Sequence, residues 1–356
     1  MACIDLDLAH AYRANPQTDA DYALLPLQMT FREGGAYALL GPSGCGKTTM
    51  LNIISGLMVP SHGSVKFDGK DVTSLSPQQR NIAQVFQFPV IYDTMTVAEN
   101  LAFPLRNRNV PKDKIKKRVG EIAEMLDMSG QLNQRAAGLS ADAKQKISLG
   151  RGLVRPDVSA VLFDEPLTVI DPHLKWQLRR KLKQIHHDLK LTLIYVTHDQ
   201  VEALTFAEEV VVMTRGRVVQ AGSADALFEQ PRHTFVGHFI GSPGMNFITA
   251  NMSGNRLAIA GKSFHTDRSL PDGALKLGIR PEYIQLVSPD AEGALPAAVT
   301  NLQDIGTFSM LTVAIDGIKL KVRLGLHDLQ PNIGDTVWLK VLSTHTCFYK
   351  NEELVA

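Results

Sequence analysis

Residues 36–49 read Ala36-Tyr37-Ala38-Leu39-Leu40-Gly41-Pro42-Ser43-Gly44-Cys45-Gly46-Lys47-Thr48-Thr49, and this stretch decides the fold. The apolar run at its start predicts a buried strand, and 47–57 predicts a helix. Between them lies a match to G-x-x-x-x-G-K-[ST] in the context that pattern requires, after a strand and opening a helix. Glycines there let the backbone curl so that successive N–H groups point inward at phosphate, and the helix N-terminus adds partial positive charge. Lys47 is expected between the β- and γ-phosphates of a nucleotide, and the Thr48 hydroxyl on Mg²⁺. Cys45 sits beside Lys47 at the helix start, features that favour a reactive thiolate, so a thiol protected by bound MgATP is expected.

Working outward, Ala160-Val161-Leu162-Phe163-Asp164-Glu165 is an apolar strand ending in two acids. In P-loop ATPases the first such acid holds Mg²⁺ through water and the second polarises the attacking water, which assigns those roles to Asp164 and Glu165. The apolar run 193–196 ends in Thr197-His198-Asp199, and in a parallel sheet this places the His198 imidazole beside the γ-phosphate. Short apolar runs alternate with amphipathic stretches, such as 174–190, up to about residue 235. That is the α/β pattern, and Arg215-Gly216 marks a hairpin turn near its end. From Gly241-Ser242-Pro243-Gly244 onward, short strand-like runs at 275–279, 312–315, 320–322 and 336–341 are broken by turn residues. A small all-β barrel follows from that pattern, giving domains 1–240 and 241–356.

A length of 356 residues exceeds the usual size of one core, in agreement with two domains. Net charge is +1, which supplies no basic field of the kind that gathers nucleic acid. The first ten residues lack a basic segment followed by an apolar core, so no secretion signal is expected. The apolar runs fall well short of the roughly 20 residues that span a bilayer, so no crossing is expected either. Cys3, Cys45 and Cys347 are widely spaced and odd in number, which argues against a disulfide framework or zinc site and favours a reducing compartment. The basic run 112–118 reads as a solvated helix face.

Together these residues resemble the ATPase subunits of ABC transporters. The resemblance implies an α/β P-loop ATPase domain with a helical subdomain, using ATP and Mg²⁺. It implies that Gln87, in Val85-Phe86-Gln87-Phe88, is the Q-loop glutamine that touches Mg²⁺ and the water while its neighbours contact the membrane subunit. Residues 139–151 take the signature-helix position, with Ser140 on nucleotide held by the opposite subunit, and Thr168-Val169-Ile170-Asp171 the D-loop. Tyr12 takes the place of the aromatic that stacks on adenine, and Thr49 completes the phosphate loop. Gly241-Ser242-Pro243-Gly244-Met245-Asn246-Phe247 and Leu277-Gly278-Ile279-Arg280-Pro281-Glu282 resemble the maltose and glycerol-phosphate importer ATPases, which carry an oligonucleotide-binding-like regulatory barrel there. Segments 84–93, 144–151 and 167–171 look like an ATPase of bacterial glycerol-uptake importers, implying a small polyol or carbohydrate, glycerol above all, as solute.

The implied partners are transmembrane permease subunits and, indirectly, a periplasmic solute-binding protein, with the chain peripheral on the cytoplasmic face of the inner membrane. One segment departs from the family pattern. The signature Leu-Ser-Gly-Gly-Gln reads Leu139-Ser140-Ala141-Asp142-Ala143 here. An acid in the first helical turn stabilises the helix by about 0.3 to 1 kcal/mol, yet a carboxylate about 4 Å from phosphate charge is repelled by about 4 kcal/mol at an effective dielectric near 20. The expected consequence is pairing with a second, different ATPase. A soluble ABC-type ATPase and an ATP-binding regulatory subunit with little turnover are the alternatives.

Overall fold

The computed structural model describes residues 1–168, 170–328 and 330–355, without the side chains of Pro172 and His173. It divides into two compact units, Met1–Ala224 and Asp225–Ala356. The first unit runs β1 (Ile4–Ala11), β2 (Tyr22–Phe31), β3 (Ala36–Leu40), α1 (Lys47–Ser55), β4 (His62–Phe67), β5 (Lys70–Asp71), β6 (Ile82–Val85), α2 (Val97–Arg106), α3 (Lys112–Met125) and α4 (Ala141–Leu153). It continues with β7 (Ala160–Asp164), α5 (Pro172–Leu189), β8 (Leu193–Thr197), α6 (Gln200–Phe206), β9 (Glu209–Thr214) and β10 (Arg217–Gly222).

The central sheet has the order β10-β9-β3-β8-β7-β6 and is parallel except for the β10 edge. Every residue of β3 and β8 is buried, as expected of strands covered on both faces. Register pairs Leu40 with Thr197 and Asp164 with Val196, so the loops leaving β3, β7 and β8 emerge along one edge. Ligands gather at that edge in open α/β sheets. The β9–β10 hairpin turns at Arg215 and Gly216, both with positive φ. An antiparallel sheet, β2-β1-β4-β5, packs through Ile4, Leu6, Phe31 and Val65 into one core with Leu39, Met50 and Ile54. The strand–helix alternation read from the sequence did not separate this second sheet.

The helix that opens at the phosphate loop is fixed at its far end by Arg80, 2% exposed. Its guanidinium donates to the carbonyls of Ile53 (2.6 Å) and Ile54 (2.9 Å) at the end of α1, and to those of Leu75 (2.9 Å) and Thr73 (2.8 Å). The last carbonyls of a helix lack intrahelical partners, and a cation is the favourable cap for them.

Helices α2, α3 and α4 form a helical subdomain around Leu101, Leu105, Ile122, Ile147 and Leu149. A capping box opens α2: Thr96 Oγ1 accepts the Glu99 N–H at 3.2 Å, and Glu99 Oε2 accepts the Thr96 N–H at 2.8 Å. Two bonds tie α4 to the segment after β6, Lys144 to Asp93 (3.0 Å) and Arg151 to the Val90 carbonyl (2.7 Å). The Arg151 guanidinium also lies over the Tyr92 ring, 4.8 Å from its centroid. Buried Asn100 holds the same segment, pairing with both the N–H and the carbonyl of Tyr92 at 2.9 Å each. Among the described residues no helix is long and apolar enough to cross a membrane.

The second unit is built of two antiparallel sheets around Leu277, Leu295, Leu311, Val322 and Leu339. The strand runs expected from sequence appear as Gly273–Ile279, Ser309–Ile315, Ile318–Leu324 and Thr336–Lys340. Strands Asn246–Ser253, Arg256–Ile259, Lys262–His265 and Ala294–Asp304 extend the sheets beyond those runs. Short helices Ala224–Glu229 and Thr234–Phe239 precede residue 241. Arg280, 1% exposed, holds them by donating to the carbonyls of Phe228 (2.9 Å), Gly237 (3.2 Å) and Ile240. It also lies 4.0 Å from the Phe228 ring centroid.

Two truncations follow. A fragment ending at Ala224 should melt cooperatively and bind ATP, whereas one ending at Ile240 carries two helices cut from Arg280 and should gain early hydrogen exchange confined to 225–239. Equal protection of those helices in the longer fragment and the full chain would place the boundary at 240/241 instead. Arg280→Met should cost the second unit about 3 kcal/mol, read by denaturant titration, by stranding buried carbonyls.

Candidate nucleotide-binding site

The loop between β3 and α1 can be built only with glycine at two of its positions. A Cβ on Gly41 would meet the Met213 carbonyl oxygen at 2.2 Å, and Gly46 has φ +101 with the Ala23 carbonyl 2.5 Å from a Cβ. Gly46 is also the N-cap of α1, so the helix begins with N–H groups open toward the loop. Pro42, Ser43, Gly44 and Thr48 are exposed along it. Lys47 is 5% exposed and folds under the loop, its ammonium donating to the carbonyls of Gly41 (2.8 Å) and Pro42 (2.9 Å). The cation is thus held at the loop's centre by two neutral acceptors that an anionic oxygen can replace.

Cys45 departs from expectation. It is 4% exposed, and burial pushes its thiol up in pKa against the smaller pull of Lys47, whose ammonium stands 3.9 Å away. A buried thiol of this kind is inert.

The sheet register brings the acids to the same edge. Thr48 Oγ1 donates to Asp164 Oδ1 at 3.3 Å across 116 residues of sequence. Burial pushes the Asp164 carboxyl above its ordinary range, the Thr48 bond opposes this, and the Glu165 charge adds to the rise. Two oxygens so placed, one on a carboxyl that burial has made costly to ionise, fit a small hard cation. Glu165 follows with φ +46, a left-handed backbone rare outside glycine and asparagine, while its N–H donates to the Val196 carbonyl at 3.0 Å. This turn carries its side chain out of the strand line. Its Oε2 is shared by His198 Nδ1 (3.1 Å) and the Thr168 hydroxyl (3.2 Å).

The remaining expected residues lie around this cluster. Tyr12 is 67% exposed, with its hydroxyl 2.9 Å from Thr49 Oγ1 and its ring perpendicular to that of His10, centroids 4.8 Å apart. Gln87 is half-buried just after β6 and makes no hydrogen bond with Asp164 or Glu165. Ser140 is exposed and caps α4, its Oγ accepting the Ala143 N–H at 3.3 Å, with Ala141 exposed and Asp142 half-buried beside it. Within the D-loop segment, Val169 lies outside the described residues.

One residue escaped the sequence reading. Glu202, in the first turn of α6, is 3% exposed and accepts the Tyr195 hydroxyl at 3.0 Å and the Thr197 hydroxyl at 2.8 Å through Oε2. Burial first, and the Glu202 charge second, push the Tyr195 phenol well above its ordinary pKa, so it remains a donor. Asp199, three residues earlier, caps α6 by accepting the N–H groups of Val201 and Glu202. The spacing Asp199-x-x-Glu202 was the available signal, but it suggests an outward capping box rather than a buried carboxylate.

Cys45 provides a direct test of the loop geometry. Alkylation by a small maleimide should be at least about 10-fold slower than that of an exposed thiol with or without MgATP, since the thiol is both buried and protonated. Rapid labelling of the folded protein, measured by intact-mass spectrometry, would contradict the buried placement.

Comparison with known proteins identifies the family. The ABC transporter family profile matches residues 24–168, and a TOBE domain profile matches 277–348. The sn-glycerol-3-phosphate import ATP-binding protein UgpC of Salmonella typhi is 39% identical over 327 residues, covering 89% of this chain and 90% of that protein. Its namesake from Escherichia coli K12 is 37% identical over 338 residues, covering 92% and 93%. Among solved structures, cbiO1 of Clostridium perfringens, part of the ABC transporter complex cbiONQ, matches with a TM-score of 0.57 at 26% identity, over 64% of this chain and 90% of that one. The expectation of a second, different ATPase subunit finds no support in these similarities. The chain belongs to the ATP-hydrolysing subunits of ABC importers, an ABC ATPase domain followed by an all-β TOBE domain.

Proposed function

We propose that this chain hydrolyses ATP at the edge where β3, β7 and β8 end, and so powers uptake of a glycerol-related polyol through transmembrane permease subunits. The observation that carries the reading is the Glu165 carboxylate, shared by His198 and Thr168 beside the Thr48–Asp164 pair. The residues from Gly41 to Thr49 hold the β- and γ-phosphates, Lys47 exchanging its carbonyl partners for phosphate oxygens, and Tyr12 stacks on the base. Thr48, Asp164 and Gln87 would hold Mg²⁺, which would supply neutralisation of the phosphate charge. Glu165 orients a water for attack at the γ-phosphorus, and the bond to the β–γ bridging oxygen breaks. His198 keeps the Glu165 carboxylate aimed and contacts the γ-phosphate. Positioning and electrostatics supply the acceleration.

Ser140, at the exposed start of α4, meets nucleotide held by a second ATP-binding subunit. The permease docks on the segment after β6, where Phe86, Phe88, Val90 and Tyr92 are 41%, 68%, 54% and 40% exposed. Apolar side chains grouped on one segment are the surface a protein partner covers. In this reading the chain works on the cytoplasmic face of the membrane, with the periplasmic solute-binding protein reached only through the permease. The solute does not touch this chain. The relatives' names, which specify sn-glycerol-3-phosphate import, support the glycerol class.

Glu165→Gln should retain MgATP while turnover falls about 100-fold or more, because binding uses the loop and Lys47 whereas Glu165 acts on water. Hydrolysis at the wild-type rate would remove the assignment. For the solute, mass spectrometry of the detergent-purified complex should find permease subunits and raise its ATPase rate with a glycerol-class ligand delivered by the binding protein. Stimulation by an unrelated sugar alone would reject that class.

A further inference from the structure

We infer that Glu202 is a positioning residue for hydrolysis: it holds the turn at 197–199 so that His198 faces Glu165. The inference rests on the reading of Glu165 and His198 given above. The hydrogen bonds among Thr197, Asp199 and Glu202 are additional to that reading.

Thr197 has a single hydroxyl proton and donates it to Glu202 Oε2 at 2.8 Å, which leaves its oxygen lone pairs to accept the Asp199 N–H at 3.0 Å. Asp199 Oδ1 in turn accepts the N–H of Val201 at 2.7 Å and of Glu202 at 3.2 Å. Residues 197–202 thus form a closed ring of hydrogen bonds anchored in the core by Glu202. His198 alone projects from the ring's strand end, its side chain 52% exposed and its Nδ1 on Glu165. The neighbouring hydroxyls define only one acceptor, Oε2. The other oxygen, Oε1, is buried without a hydrogen bond and faces the Lys175 ammonium at 3.7 Å. Lys175 stands one helical turn beyond Asp171, its N–H donating to the Asp171 carbonyl at 2.9 Å.

A buried carboxylate with an unbonded oxygen costs stability, and an apolar side chain of similar volume would pack there without that cost. Packing alone does not account for an acid at this place. What the acid supplies is direction: a strong acceptor forces the Thr197 proton inward and frees its lone pairs for Asp199, which fixes the backbone on both sides of His198. The charge is balanced by a lysine on the helix that follows the D-loop segment. Position matters here because His198 and Thr168 share one Glu165 oxygen, and a small displacement of a catalytic group carries a large rate penalty.

The test is a double-mutant cycle in the full-length protein assembled with its transporter. Glu202→Leu should lower kcat by about 10-fold or more while the KM for ATP stays within about 2-fold, since the phosphate loop is untouched. Glu202→Gln, which keeps an acceptor for Thr197, should recover most of the rate. In a His198→Ala background the Leu substitution should lower kcat no further. A full-sized fall in that background, or a rise in KM with kcat unchanged, overturns the inference and leaves the site reading intact. His198→Ala with wild-type turnover removes the site reading and the inference together. If the Leu variant does not fold, Thr197→Val compared with Thr197→Ser runs the same cycle, and equal rates for the two would overturn the proposal.

Discussion

Backbone hydrogen bonding among three parallel strands is the constraint on which the rest of the site depends. Pairing Leu40 with Thr197 and Asp164 with Val196 leaves no choice about where the following residues emerge. Gly41, Glu165 and His198 are far apart in sequence, yet each is the first or second residue past a strand end on the same edge. A slip of one residue in any of these registers would turn every side chain of that strand to the opposite face. Burial of all of β3 and β8 makes such a slip expensive, because both faces are filled. The sheet register therefore brings His198 and Glu165 to one edge, and the hydrogen-bonded turn at 197–202 sets the 3.1 Å contact between them.

Much of this was legible in the residues. The loop from Gly41 to Thr49, the acids after 160–163 and the histidine after 193–196 each combine an apolar run with an abrupt polar end, a signal that needs no tertiary information. The antiparallel sheet of β1, β2, β4 and β5 was harder to see because its signal is spread over short alternating segments. In β1 the alternation fails outright: four consecutive residues near its end are buried, so the period of two is lost. Asn246–Ser253 does alternate, buried and exposed in turn, but polar Asn246 occupies an inward position and masks the pattern. Its amide is satisfied by the N–H and carbonyl of Lys321, a partner no local window contains.

Cys45 and Glu202 show where residue type misleads. A cysteine beside a lysine at a helix start suggests a thiolate, but desolvation outweighs the neighbouring charge once the loop has closed over it. A glutamate three residues after a capping aspartate suggests a solvated helix end, but two hydroxyls from β8 draw it inward. In both cases the deciding quantity is burial, which belongs to the whole fold and is not written at the position itself.

The attachment of α4 has a mechanical meaning. Lys144 and Arg151 are seven residues apart, two full turns and about 10 Å along the axis, so they lie on one side of the helix. A single tether would act as a pivot and let the helix swing. Two tethers on the same segment, itself clamped by Asn100, make a bracket that opposes rotation about either contact. Neither contact is strong enough to be rigid by itself: the Lys144–Asp93 ion pair is partly exposed and contributes little, and Arg151 adds one hydrogen bond to the Val90 carbonyl and a ring contact with Tyr92. The bracket is therefore stiff against small displacements and yields under large ones, which is the behaviour of a clutch rather than a weld.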